Sequence, residues 1–411
     1  MSNGRRYSPK RARQRRLDIA VEDDAHAPVG KSEESAPTET ARPCVLIEQL
    51  HLRSLLSFGQ DSPPVELGPL NVLIGPNGSG KSNLIHAVDL LRHLPEQGPM
   101  SAPDGTKPSN WSWRGHPPKA PLVSIGARLS IEKGTLAYEL KALATRTEFT
   151  PVEERLFALT KEGDVAAVVF DRSNKRFNPG EQLGLALKRL ESEVFPLTYA
   201  LGRIAIHRNW AFGAKAPMRT PQVTALPSDT LQDDAANLGL VLNRLNQDTA
   251  SKERLINGLR QLYEGIEDFR VNIEKGKVFL DLKERGIRFP ASHLSDGTLR
   301  FLCLLAILNE PEPPPLICLE EPELGLHPDI LPAVGELLIE ASTRTQLIVT
   351  THSDVLVDAL SDTPESVIVC EKHEGQTHLK RLEKREIAGW LGRYSNSLGE
   401  LWTRGHLGGN R

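Results

Sequence analysis

The chain has 411 residues, 39% hydrophobic and 25% charged, enough for two or three domains or for one large head carrying an insertion. A formal net charge of -3 excludes a surface that coats nucleic acid throughout and leaves only local basic patches for such a role. Cys44, Cys303, Cys318 and Cys370 stand too far apart for a zinc site or a disulfide framework, no stretch is apolar enough to span a membrane, and the basic N-terminus lacks the apolar core of a secretory signal, so a cytoplasmic location is expected.

Residues 1 to 42 hold few large apolar side chains and are predicted to form a disordered tail. The basic run of Arg5, Arg6, Lys10, Arg11, Arg13, Arg15 and Arg16 reads as a nucleic-acid-binding arm or, more commonly for such runs, as a solvated extension. Order is expected from about Cys44, with a strand opening at Val45-Leu46-Ile47. The apolar run Leu70-Asn71-Val72-Leu73-Ile74 ends at a glycine, as a buried strand does, and a helix with Leu84, Ile85, Val88 and Leu91 on one face follows over about Ser82 to Leu94.

Pro and Gly crowd residues 95 to 121, which read as a surface connection. Val123, Ile125, Ala127, Leu129 and Ile131 then alternate, as do Leu136, Tyr138 and Leu140, predicting antiparallel sheet with one wet face. Leu238, Val241, Leu242 and Leu245 mark a helix, and Phe269 to Leu282 a hairpin turning at Lys275-Gly276. An apolar helix is predicted from about Leu299 to Leu308, stopped by Pro311. Leu316 to Leu319 and Leu347 to Val349 are buried strands flanking a helix from Ile330 to Ile339, and one strand, Val367 to Cys370, precedes short helices.

Four motifs carry chemistry. Gly75-Pro76-Asn77-Gly78-Ser79-Gly80-Lys81-Ser82 matches G-x-x-x-x-G-K-[ST] between a strand and a helix. Its glycines let backbone N–H groups wrap phosphates, Lys81 is expected to reach the β- and γ-phosphates, and the Ser82 hydroxyl is expected to ligate Mg²⁺. Glu320 and Glu321 end a buried strand, where Glu320 is placed to hold Mg²⁺ and Glu321 to act as general base towards water. Leu294-Ser295-Asp296-Gly297-Thr298 opens the apolar helix, either as an N-cap or as an anion site. Thr350-Thr351-His352-Ser353 ends the last buried strand, and a lone histidine there is more often structural than catalytic.

These motifs, in this order, resemble the ABC-type ATPase superfamily, in its RecF/SMC-like branch of DNA-maintenance and phage-defence ATPases. The resemblance implies an α/β P-loop head over residues 43 to 411, with a mixed β-sheet lobe and an α+β insertion at about 95 to 290. That interval is broken by Pro and Gly and has no heptad pattern, so the long coiled coil of the SMC relatives is not expected. It implies that Ser295 and Gly297 bind the γ-phosphate of ATP held by Lys81 of a second copy, that Glu323-Leu324-Gly325-Leu326-His327-Pro328 is the D-loop, and that His352 senses the γ-phosphate. His207 to Gly213 and the ending from Leu398 to Arg411 further resemble a group of bacterial AAA-family ATPases.

The chain departs from the superfamily in three ways. The signature is LSDGT rather than LSGGQ, and Asp296 is expected to turn outward as a cap. Glu320 replaces the usual Asp, and the Q-loop residue is left between Asn209 and Gln222. The sixty or so residues after His352 leave no room for the nuclease domain of some relatives, so no nuclease activity is expected. The expected partner is a second copy in an ATP-dependent head-to-tail dimer, with no membrane. Two roles stay open. One is DNA repair or maintenance, with DNA gripped between heads; the other is the sensor ATPase of a two-gene phage-defence or toxin system that controls a separate effector nuclease. In either, the insertion is expected to present the partner-reading surface, part of it basic through Arg203, Arg208, Lys215 and Arg219.

Overall fold

Alternating side chains on one central sheet separate two cores. The structure is a computed structural model that describes residues 46–94, 101–115, 122–131, 134–171, 191–208, 210, 212–389 and 397–409. The basic tail, Cys44, Asn209 and the last two residues of the chain lie outside the described residues.

In chain order the strands are β1 (Ile47–Arg53), β2 (Val65–Glu66), β3 (Leu70–Ile74), β4 (Leu122–Ile131), β5 (Gly134–Ala144), β6 (Phe149–Leu159), β7 (Val165–Asp171) and β8 (Ala205–His207). They continue as β9 (Gln222–Val223), β10 (Ile266–Glu274), β11 (Lys277–Glu284), β12 (Ile287–Pro290), β13 (Leu316–Glu320), β14 (Gln346–Thr350), β15 (Val367–His373) and β16 (Gln376–Arg381). The central sheet has the order β16-β15-β3-β14-β13-β8 and is parallel except for the β15–β16 hairpin. An antiparallel sheet runs β2-β1-β4-β5-β6-β7, and β9 to β12 form a third, smaller sheet.

Side chains alternate across a strand, so neighbours on β3, β13 and β14 enter different cores. Val72, Ile74, Ile317, Leu319, Leu347 and Val349 pack with the Asp296–Leu308, Leu331–Ala341 and Leu238–Leu245 helices. Leu73, Leu316, Cys318 and Ile348 pack with the Lys81–His93 helix and the antiparallel sheet. Both faces are covered, which is why these strands read as continuous apolar runs. Cys303, Cys318 and Cys370 are buried free thiols.

The expected α/β head, with a mixed lobe and without coiled coil among the described residues, is the architecture observed. The lobe is organised differently from a simple insertion after the P-loop: β1 and β2, which precede that loop, pair with β4, and β8 returns to edge the central sheet beside β13. The Pro- and Gly-rich connection also contains ordered structure, a 3-10 turn at Pro108–Trp111 that buries Trp111 against the lobe.

Candidate functional site

Five parallel strands end on one side of the central sheet, and the loops that leave them carry the chemistry-bearing residues, as open α/β sheets arrange their ligand sites. β3 delivers the loop Gly75 to Ser82, β13 delivers Glu320 and Glu321, β14 delivers Thr350 to His352, and β8 delivers His207 and Arg208.

The phosphate loop depends on its glycines. Gly75 and Gly80 have φ of 143° and 108°, conformations that side chains rarely adopt. A Cβ at Gly75 would lie 2.2 Å from the Cys370 carbonyl, and one at Gly80 would lie 2.0 Å from Oγ1 of Thr377. Lys81 is buried, and its Nζ donates to the carbonyls of Gly75 at 2.7 Å and Pro76 at 3.1 Å. Burial lowers its pKa, opposed by the nearby carboxylates of Glu321 and Glu323. Ser79 Oγ is buried and has no hydrogen-bond partner, a donor of the kind a phosphate oxygen satisfies. Asn77, Gly78 and Ser82 are exposed at the loop, with Pro76 partly covered.

A brace holds this loop from behind, and sequence reasoning missed it. Thr377 Oγ1 on β16 lies 2.7 Å from the Ser79 carbonyl oxygen and 2.6 Å from Ser57 Oγ. The carbonyl can only accept, so the threonine proton goes there and the Ser57 hydroxyl supplies the second bond. Asn83 Nδ2 in turn donates to Ser57 Oγ at 2.7 Å.

Glu320 hydrogen-bonds the Ser82 hydroxyl. Burial raises its pKa, with Arg208 and Ser82 acting in the opposite direction. Its Oε1 is buried without a partner. An orphaned carboxylate oxygen beside a hydroxyl suits a hard cation, and Mg²⁺ is commonly held by one or two protein oxygens plus substrate phosphates. Among the described residues no cluster of three His, Cys, Asp or Glu forms a separate protein cage for a metal.

Glu321 has φ of 47°, a left-handed backbone that a glutamate adopts only when its surroundings impose it. Its N–H donates to the Thr350 carbonyl at 3.0 Å, and its carbonyl accepts from Arg300 at 3.3 Å. Its Oε1 lies 3.5 Å from His352 Nε2, so the candidate base and the candidate sensor, thirty-one positions apart in sequence, are neighbours. Glu323, noted in the sequence only as part of the D-loop, anchors this pair. Its Oε1 accepts from Thr351 Oγ1 at 2.7 Å and from the His352 N–H at 2.8 Å, while burial raises its pKa.

Ser295 is the N-cap of its helix, accepting from the Thr298 N–H at 3.0 Å, and it is exposed. Asp296 is not the cap. It accepts from Arg219 at 2.5 Å and from the Gly213 N–H at 3.0 Å, and the Arg219 bond is the main cause of its lowered pKa. The expected outward cap is therefore corrected: the carboxylate ties the signature to the loop that follows β8. Gly297 abuts the D-loop candidate, since a Cβ there would lie 2.9 Å from the Gly325 carbonyl oxygen. Leu324, in the same loop, is 51% exposed.

Two other expectations change. Gln222 sits on β9 and accepts from the Gly239 N–H at 2.8 Å, tying the third sheet to the Leu238–Leu245 helix. Arg208 and Arg219 do not build a basic surface. Arg208 is 3.2 Å from Asp89 and 3.0 Å from His86 on the Lys81–His93 helix, and Arg219 holds the signature, leaving their side chains 14% and 10% exposed. Arg300 stacks against Trp210 and Phe212 at 5.6 Å and 4.4 Å from the ring centroids, a second tie between the post-β8 loop and the signature helix.

Comparison with known proteins bears on the family and the fold. A family described as "AAA domain, putative AbiEii toxin, Type IV TA system" matches residues 70–358. Among solved structures, the Smc head bound to the C-winged helix domain of ScpA aligns with a TM-score of 0.56 at 15% identity, over 83% of this chain and 99% of that one. The Smc head domain with an extended coiled coil, bound to the C-terminal domain of ScpA derived from Pyrococcus furiosus, also gives 0.56, at 14% identity, over 84% and 98%. At such identities the likeness speaks to the fold alone. No curated protein matches the sequence. No helix among the described residues is long and apolar enough to cross a membrane.

Proposed function

The chain belongs to the AAA-domain family matched over residues 70–358, and from that premise we propose that it is an ATPase of the RecF/SMC-like class whose ATP closes a head-to-tail dimer of two copies. The observation that carries the proposal is the convergence of Lys81, Ser82, Glu320, Glu321 and His352 at the ends of β3, β13 and β14.

Lys81 exchanges its two loop carbonyls for the β- and γ-phosphate oxygens, and the backbone N–H groups from Gly78 to Ser82 wrap the same phosphates. Ser82 and Glu320 hold Mg²⁺, which supplies charge neutralisation at the phosphates. Glu321 accepts a proton from the attacking water, and His352, 3.5 Å away, orients that carboxylate and faces the γ-phosphate. The second copy contributes Ser295 and Gly297. The exposure of Ser295, Leu324 and His352 supports this arrangement, because all three must meet another molecule.

For the biological role, the type IV toxin–antitoxin setting in the family description supports the two-gene toxin or defence reading, in which this chain would be the sensor ATPase beside a separately encoded effector. The inward placement of Arg208 and Arg219 removes part of the basic character expected of the insertion's partner-reading surface. Steady-state ATP hydrolysis, with and without linear duplex DNA across a salt series, tests both levels. Turnover that Glu321→Gln abolishes while ATP stays bound supports the mechanism, and undiminished turnover in that variant removes Glu321 as base. Stimulation by DNA that fades with salt would restore the DNA role.

A further inference from the structure

We infer that the cavity beside the first turn of the Lys81–His93 helix seats the purine base of the bound nucleotide, with Trp113 as its stacking platform. The inference rests on the nucleotide-binding reading and goes beyond it, since the P-loop motif accounts for the phosphates and says nothing of the nucleoside.

The direction of the nucleotide follows from the site. Ser82 faces Glu320, and Glu321 with His352 lies beyond, so that side is the γ-phosphate end. The nucleoside is placed past Asn83, the next residue of the helix's first turn, which bonds Ser57 rather than the glutamates. Next to Asn83 and Ser57 opens a cavity of about 400 Å³, lined also by Asn110, Trp113, Arg114 and Lys372. Its volume is in the usual range for small-molecule sites. Two cations and no carboxylate line it, which suits the neighbourhood of an α-phosphate. A wider cavity of about 660 Å³ is lined by Asp229, Asp233 and Asp234 against Arg92 and Arg203, with Arg92 already 3.8 Å from Asp233, so it has no cation excess for a nucleotide.

Trp113 is half-buried and held at both ends. Its main-chain N–H donates to the Ser54 carbonyl at 3.0 Å, and its indole Nε1 donates to the Gly375 carbonyl at 3.3 Å. Gly115 lies against the ring, where an added Cβ would sit 1.9 Å from Cζ2. The indole is thus fixed before any ligand arrives, and a fixed aromatic face binds a base without the entropy loss of ordering it. The platform comes from the connection that follows the P-loop helix, braced by β1 on one side and the β15–β16 turn on the other.

The test is isothermal titration of the full chain with Mg²⁺-ATP and, separately, with inorganic tripolyphosphate. Trp113→Leu is expected to weaken ATP about tenfold to a hundredfold and to leave tripolyphosphate unchanged, while Trp113→Phe keeps most of the ATP affinity. Retained tripolyphosphate binding shows that the variant is folded. Unchanged ATP affinity in Trp113→Leu overturns the assignment alone, as does an equal loss for both ligands. A wild-type chain that binds neither ligand overturns the nucleotide reading itself, and this inference with it.

Discussion

Replacing Thr377 by valine removes one hydroxyl and nearly preserves the side chain's volume. In the native protein that hydroxyl bonds the Ser79 carbonyl and receives a bond from Ser57, and Thr377, Ser79 and Ser57 are 2%, 1% and 7% exposed. Water therefore cannot take over either role. A net hydrogen bond contributes about 1 kcal/mol, and a buried polar group left without a partner costs about 1–3 kcal/mol. The substitution breaks two bonds and orphans the Ser79 carbonyl, so a loss of about 2–4 kcal/mol is expected. The loss divides between two measurements. Global stability by urea denaturation reads the part that holds β16 to the P-loop helix. The Kd for ATP reads the part that pre-orders Ser79 and Gly80, and each 1.4 kcal/mol there weakens binding about tenfold. Thr377→Ser keeps the hydroxyl and is expected to recover most of both. A valine variant within about 0.5 kcal/mol of wild type, with an unchanged Kd, would refute the brace.

Lys81→Ala is expected to abolish ATP binding, and an unaltered affinity by titration sinks the P-loop assignment. Ser295→Arg is expected to block ATP-dependent dimerisation while each subunit still binds nucleotide; light scattering that finds the ATP dimer intact would detach the signature from the second copy's site. His207 is buried, and burial, assisted by Arg92, lowers its pKa from 6.5 to about 4. The unfolded chain takes up a proton below about pH 6.5 and the folded chain not until about 4, so stability falls as pH drops through that window, by up to about 3 kcal/mol. His207→Gln should flatten the pH dependence of the urea midpoint between pH 7 and 4, and an equally steep dependence in the variant would show that other groups cause it.

Much of the head was legible along the chain because its signals are local. Leu70 to Ile74 is a short apolar run ending in glycine, and it is β3. The helix predicted over Ser82 to Leu94 is Lys81–His93, the hairpin about Lys275-Gly276 is β10 and β11, and the helix predicted from Leu299 begins three residues earlier, at Asp296. The elements missed include long ones, the 11-residue β6 and the 14-residue Thr249–Leu262 helix, as well as strands whose pattern gives no period to register. β8 is three residues long, and it joins the sheet only because β13 is there to accept it. β7 presents apolar residues on both faces, several of them exposed, so no alternation announces it.

The spacing of glycines, Lys81 and Ser82, and the two glutamates after an apolar run, determined where the proposed phosphate chemistry sits, because each motif lies within a few residues of chain. Which groups support that chemistry is a matter of distant contacts. Ser57 and Thr377 are 320 positions apart and meet only because β16 closes over the P-loop. Arg208 and Arg219 look like surface charge when read along the chain, and Asp89 and Asp296 turn them inward. Glu323 becomes the anchor of His352 only when β13 and β14 lie side by side in register. A local pattern can specify which atoms approach a phosphate, but the partner that satisfies a buried polar group is chosen by folding, since any of many distant donors could have filled the place.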